Sequence, residues 1–362
     1  MSFLMGRYNF SFAKTSRLRC IQDAGHLVKD LWPTGLPKVS KDPSSMDEIP
    51  TRDRVPEDEK AMVKWAYVRK LLESKDPSRR HALVYVDQEE GHNGLEQVAV
   101  RLQGFVSSCD ISPLGNWKLT DASAPKAVQF LVLTAPADVT DVMHAQNRGL
   151  GRIRELIYRA LQSGKTGMEV KDEIYLQSRV FTKVRAGSSI KSILQPRDDP
   201  SGEARALEKR WIVEHRVITG VQSEDGKILP ASHRVIRKGD FVDVLVVPEI
   251  ASYSSDCGRE FQVHFTIKRV IRLKGRENLI ESISYEMVHN NAHLPSPRHC
   301  ELYTFRFLNT LIASIYSIMI PNRTVVSNKA TSEVLASEVN KAEQAVGGGT
   351  PGKNETGHVV DS

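Results

Sequence analysis

The run Phe261 to Arg276, "FQVHFTIKRVIRLKGR", limits what this chain can become more than any other stretch. Phe261, Val263, Phe265, Ile267, Ile271 and Leu273 recur at every second position, and Arg269 is the one break. Successive side chains of a strand point to opposite faces, so this spacing predicts a long strand with one face in a core. Upstream, "RKGDFVDVLVVPEI" (Arg237 to Ile250) reads as a Gly-Asp turn followed by a second core strand. The other face of the first run carries His264, Lys268 and Arg272 at intervals of four, which lines them up. From Phe261 to Arg276 five Lys or Arg stand with no acid among them.

A curved strand with a basic outer face is what a small barrel offers to single-stranded nucleic acid. On that reading His264, Lys268, Arg272, Lys274 and Arg276 are the contacts. Stacking aromatics belong on the same face, yet both phenylalanines fall on the apolar one. The competing reading is a solvated face whose cations discourage edge-to-edge pairing. The spacing alone leaves both open.

Net charge over the 362 residues is +6, with an isoelectric point near 9.0. That excess is compatible with an anionic partner and does not require one. Cys20, Cys109, Cys257 and Cys300 lie far apart without CxxC spacing, which points to reduced thiols and an intracellular protein, nuclear or cytoplasmic. The first residues carry Arg7, Lys14, Arg17 and Arg19 before any acid, a composition shared by mitochondrial targeting segments and by plain basic termini. "LNTLIASIYSIMIP" (Leu308 to Pro321) is too short and polar for a membrane span and reads as a buried helix.

Along the chain, residues 1–55 form a basic N-terminus and a Pro-rich linker. Pro56 and the acids Glu57, Asp58 and Glu59 announce a helix carrying Met62, Trp65, Val68 and Leu71. "HALVYV", "LEQVAVRLQGFV" and "AVQFLVLTAP" predict strands, and "GRIRELIYRALQSG" predicts a basic amphipathic helix. Residues 56–193 are thus expected as an α+β unit, 194–210 as a linker, and 211–321 as an antiparallel barrel-like or sandwich-like sheet followed by helices. Residues 322–362 read as a disordered tail.

No catalytic motif holds up. "LQSGKTG" has Arg159 where a phosphate-binding loop needs glycine, and a helix where it needs a strand. "HNNAHLPSPRHC" gathers His289, His293, His299 and Cys300, but its prolines break the geometry of a zinc site. Asp240 and Asp243 near the turn could serve a divalent-metal hydrolase only if a bend aimed both at one ion, since strand period separates them. Asp240 suits the turn, which leaves Asp243 facing solvent or paired with a base. No cofactor, metal or catalytic residue is assigned.

The pair of strands "RKGDFVDVLVVPEI…FQVHFTIKRVIRL" resembles predicted proteins of mushroom-forming, basidiomycete fungi, over about Trp211 to Leu273. The resemblance implies a fungal origin and carries no activity or residue role. The sequence favours a non-catalytic binding protein whose partner is nucleic acid or another polyanion. The alternative is a protein-interaction module, with a metal-dependent hydrolase third.

Overall fold

The computed structural model describes residues 4–10, 27–32, 36, 43, 45, 47, 54–71, 81–86, 95–136, 140–165, 171–184, 191–255, 258–277 and 279. All belong to one compact unit, Met1–Met319. The strands are β1 (Leu4–Phe10), β2 (Ala66–Lys70), β3 (His81–Tyr85), β4 (Leu95–Asp110), β5 (Val128–Thr134) and β6 (Ile174–Arg179), then β7 (Thr182–Lys183), β8 (Trp211–Ile212), β9 (Ile218–Gln222), β10 (Ile228–Pro230), β11 (Phe241–Ser255) and β12 (Gly258–Lys274). The α-helices are α1 (Glu59–Trp65), α2 (Thr140–Ala160) and α3 (Glu203–Ala206).

The fold is α+β and dominated by one large, mostly antiparallel sheet, in which strands run β10-β9-β12-β11-β3-β4-β5-β6. β11 also pairs with β4 from Phe241↔Phe105 to Val246↔Val100. Strands on either side of residues 194–210 therefore belong to one sheet, not two. Within residues 194–210, which are mostly exposed, Asp199 and Ala204 are buried. Asp199 accepts from the backbone N–H groups of Ala204 and Arg205, and Ala204 joins Trp117, Phe181 and Val213 in a small second core.

The alternating run near the C-terminal end of this sheet is indeed its longest strand, β12, paired with β11 as a hairpin. β11 is buried from Phe241 to Pro248, on both faces, which accounts for its continuous apolar character. On one side lie Leu102, Leu131, Leu133, Met143 and Val244; on the other Trp32, Phe105 and Phe241 meet edge to face at 5.0 to 5.8 Å. α2 covers the sheet with Met143, Leu150, Ile153 and Ile157, and is longer at its N-terminal end than the basic run suggested.

One helix expectation is corrected. The stripe Met62 to Leu71 does not continue as a helix, because α1 ends at Trp65 and Ala66 is already extended (φ −149°, ψ 156°). Ala66–Lys70 instead pairs residue for residue with His81–Tyr85, so the sheet edge takes these residues from the helix. The helix also begins later than Pro56 suggested: Asp58 is its N-cap, accepting from the Ala61 N–H at 2.8 Å, and Glu59 is the first helical residue.

The sheet curls until β6 comes beside β12, yet no ladder joins them. Ser178 spans the seam: its Oγ accepts from the Ile267 N–H at 2.8 Å and donates to the Ile267 carbonyl at 3.2 Å.

Candidate nucleic-acid interface

Two strands share one edge of β12. β9 runs parallel to it over Arg269–Arg272, while β6 meets it at Ile267. Lys268 falls between them. It has no opposite residue on β11, because the register steps from Val246↔Ile267 to Leu245↔Arg269. This is a β-bulge, and it places one lysine at the point where β6 departs and β9 joins.

A narrow cleft of about 110 Å³ opens at this notch, lined among others by Ser178, Arg179, His215, Arg216, Glu249 and Lys268. Beside it a larger cleft of about 660 Å³ is lined by Arg197, Asp198, Thr219, Ser232, His233 and Arg234. Arg216 and Val217 line both. Together the two adjoining clefts hold five Lys or Arg (Arg179, Arg197, Arg216, Arg234, Lys268) against two acids, Asp198 and Glu249. Both acids are engaged: Asp198 accepts from Arg216 at 3.1 Å and Glu249 from the Thr266 hydroxyl at 2.9 Å. Burial, then the nearby Arg234 and Arg216, hold the His233 pKa below its ordinary value. A short helical turn, His233–Val235, presents this corner, capped by Ser232, whose Oγ accepts from the Arg234 N–H.

Of the five residues expected to form one basic face, only Lys268 lines these clefts. The bulge is the reason. His264 pairs with Glu249 and Arg272 with Val242, seven residues apart on β11, so they point to opposite faces. His264 is half-buried with its Nδ1 2.7 Å from Gln177 Nε2, and burial lowers its pKa. Arg272 donates to the Val235 carbonyl at 3.2 Å. Lys274 is half-buried opposite Phe241, past a second register step. Arg276 serves the turn, its backbone N–H donating to Asp240 Oδ1 at 3.1 Å.

The aspartates are equally informative. Asp240 sits in the turn as expected, buried, and also accepts from the Arg237 N–H at 2.8 Å. Desolvation raises its pKa. Asp243 is paired with a base and does not face solvent. Its Oδ2 accepts from Arg101 Nε at 2.8 Å and from Gln103 Nε2 at 2.9 Å, and the side chain is 0% exposed. That burial closes it to a hydrated ion, so the two acids share no metal-binding geometry. Among the described residues no group of three or more His, Cys, Asp or Glu could hold a metal ion. The His289, His293, His299 and Cys300 cluster lies outside the described residues, as do the expected helices beyond residue 279. Among the described residues no helix is long and apolar enough to cross a membrane.

Arg179, Arg197, Arg216 and Arg234 escaped the sequence reading because each comes from a different stretch and only the curled sheet assembles them. "SHRVIRKG" (Ser232 to Gly239) was the one local hint, a basic run placed in a turn.

No protein family and no curated protein matches the sequence. Among solved structures, the single-stranded DNA-binding protein of bacteriophage Enc34 in complex with ssDNA is similar at 14% identity, covering 57% of this chain and 97% of that one, with a TM-score of 0.24. The single-stranded DNA-binding protein gp2.5 of bacteriophage T7 is similar at 10% identity, covering 49% of this chain and 91% of that one, with a TM-score of 0.23. Likeness at this level assigns the chain no activity.

Proposed function

We propose that the protein is a non-catalytic nucleic-acid binder that holds phosphates in the adjoining clefts at the β6–β12–β9 notch. The observation that carries this reading is the shared wall at Arg216. Read as one channel, the two adjoining depressions carry more cations than acids, with Asp198 paired to Arg216 and Glu249 accepting from Thr266. Such a channel attracts a polyanion by releasing its counterions, and Arg side chains suit phosphate oxygens because their planar fork can donate twice. Lys268 adds a point charge at the narrow end, and His233 a neutral imidazole that an incoming phosphate would help protonate.

Binding of a labelled oligonucleotide by the full chain, followed by anisotropy across a salt series, tests this. Affinity is expected to fall steeply with salt, and Arg216→Glu with Lys268→Glu to flatten the logarithmic slope by roughly 0.7 for each lost phosphate contact on a single strand. Undetectable binding at low salt, or a double variant indistinguishable from the parent, would sink the proposal.

A further inference from the structure

The solvent face of β5 and β6 leads away from the notch. Alternation along β6 puts Tyr175, Gln177 and Arg179 on that face, with Ile174, Leu176 and Ser178 turned inward and buried. Arg179 lines the narrow cleft, and Tyr175 lies four residues back along the same strand, about 13 Å away at strand rise. Tyr175 is 54% exposed. Its ring lies against Phe130 of β5, with centroids 6.2 Å apart and planes 15° from parallel. Val132, the cross-strand partner of Tyr175, is half-buried beside them. Two acids flank this patch: Asp110, opposite Phe130, accepts from the Ser112 hydroxyl and N–H, and Glu173, two residues before Tyr175, is exposed.

We infer that Tyr175 and Phe130 are a base-stacking platform continuous with the phosphate channel, so that the nucleic acid taken there is single-stranded. This rests on the nucleic-acid reading of the clefts. Two aromatic rings held nearly parallel, one against the other, leave Tyr175 as an exposed flat apolar surface backed by Phe130, and a strand whose phosphates pass Arg179 brings its bases within reach of it. Duplex bases are stacked on one another and cannot lie on an outside ring, whereas unpaired bases can, whatever their sequence. An isolated exposed tyrosine would be unremarkable on any surface. Here the tyrosine is backed by a second ring, and a channel-lining arginine stands on the same face of its own strand. The aromatics missing from the basic run of β12 are thereby supplied from β5 and β6.

The experiment compares the full-length chain with Tyr175→Ala, Tyr175→Phe and Arg216→Glu, using oligo-deoxythymidine, a blunt hairpin duplex and inorganic polyphosphate as probes. The expected result is tighter binding of oligo-deoxythymidine than of duplex, and a loss of about tenfold for that probe alone in Tyr175→Ala. Tyr175→Phe keeps the affinity, and Arg216→Glu weakens all three probes. Tyr175→Ala binding oligo-deoxythymidine like the parent, or losing polyphosphate equally, overturns the platform while the channel stands. Duplex bound as tightly as single strand does the same. If no probe binds the parent at low salt, channel and platform fall together.

Discussion

Asp243 shows how far a single residue can be judged from its neighbours in sequence. Strand period left it either solvent-facing or paired with a base, and the structure takes the second option in its strictest form. The base, Arg101, is 142 residues away on β4 and 3% exposed. Gln103 completes the cluster: its side chain donates to Asp243 and accepts the Val28 N–H at 3.2 Å, while its backbone N–H and carbonyl are both met by the Gln146 side chain of α2. Removing one partner of such a pair leaves a charge stranded in the core. Asp243→Ala is therefore expected to cost about 3–5 kcal/mol, read as a lower urea midpoint at unchanged slope. Replacing both ends, Arg101→Met with Asp243→Leu, should recover part of that loss by removing the stranded guanidinium, the remainder being the Gln103 amide's lost acceptor. A double variant no more stable than Asp243→Ala would mean that the loss reflects packing rather than the stranded guanidinium.

At the scale of elements, periodicity located β3, β4, β5, α2, β11 and β12 because each has a core-facing pattern that survives any choice of partner. It failed where a partner decides. Ala66–Lys70 carries a helical stripe, but pairing with β3 makes it a strand. The bulge at Lys268 shows in the sequence only as the break at Arg269, which does not reveal that the faces exchange there, and it alone undoes the face of His264, Lys268 and Arg272. The clefts were illegible for the same reason, since their five cations come from five separated segments. A smaller device sets the start of β5, and so the position of Phe130. Gly115 has φ +52°, its N–H donates to the Ser112 carbonyl, and the Asn116 N–H and Oδ1 both hold Val128. A Cβ at residue 115 would lie 2.3 Å from the Val128 carbonyl oxygen, a backbone atom that cannot swing aside. Gly115→Ala should thus destabilise by at least about 2 kcal/mol, combining a left-handed backbone with a clash. A thermal midpoint within a degree of the parent would show that the turn relaxes and does not anchor β5.

For the molecule as a whole, the sheet has a strong path and a weak seam. From β12 through β11, β4 and β5 to β6 the ladder is continuous, with β11 bonded on both edges. Between β6 and β12 the ring is held by Ser178 on Ile267 and by Gln177 on His264. The narrow cleft includes Ser178 and Ile267 in its wall, so opening the seam would widen the place where phosphates are proposed to sit. Local opening follows the weakest set of contacts, and amide exchange reads it directly. The Ile267 N–H is expected to exchange sooner than the amides of Val244 and Val246, which lie in the doubly bonded centre of the sheet. In Ser178→Ala that amide loses its acceptor inside a buried wall, at a cost of about 1–3 kcal/mol. Exchange at Ile267 should then quicken by about tenfold or more, with protection along β11 unaltered. If β11 quickens in step with Ile267, the sheet opens as one body, and the seam is not the hinge that admits a ligand.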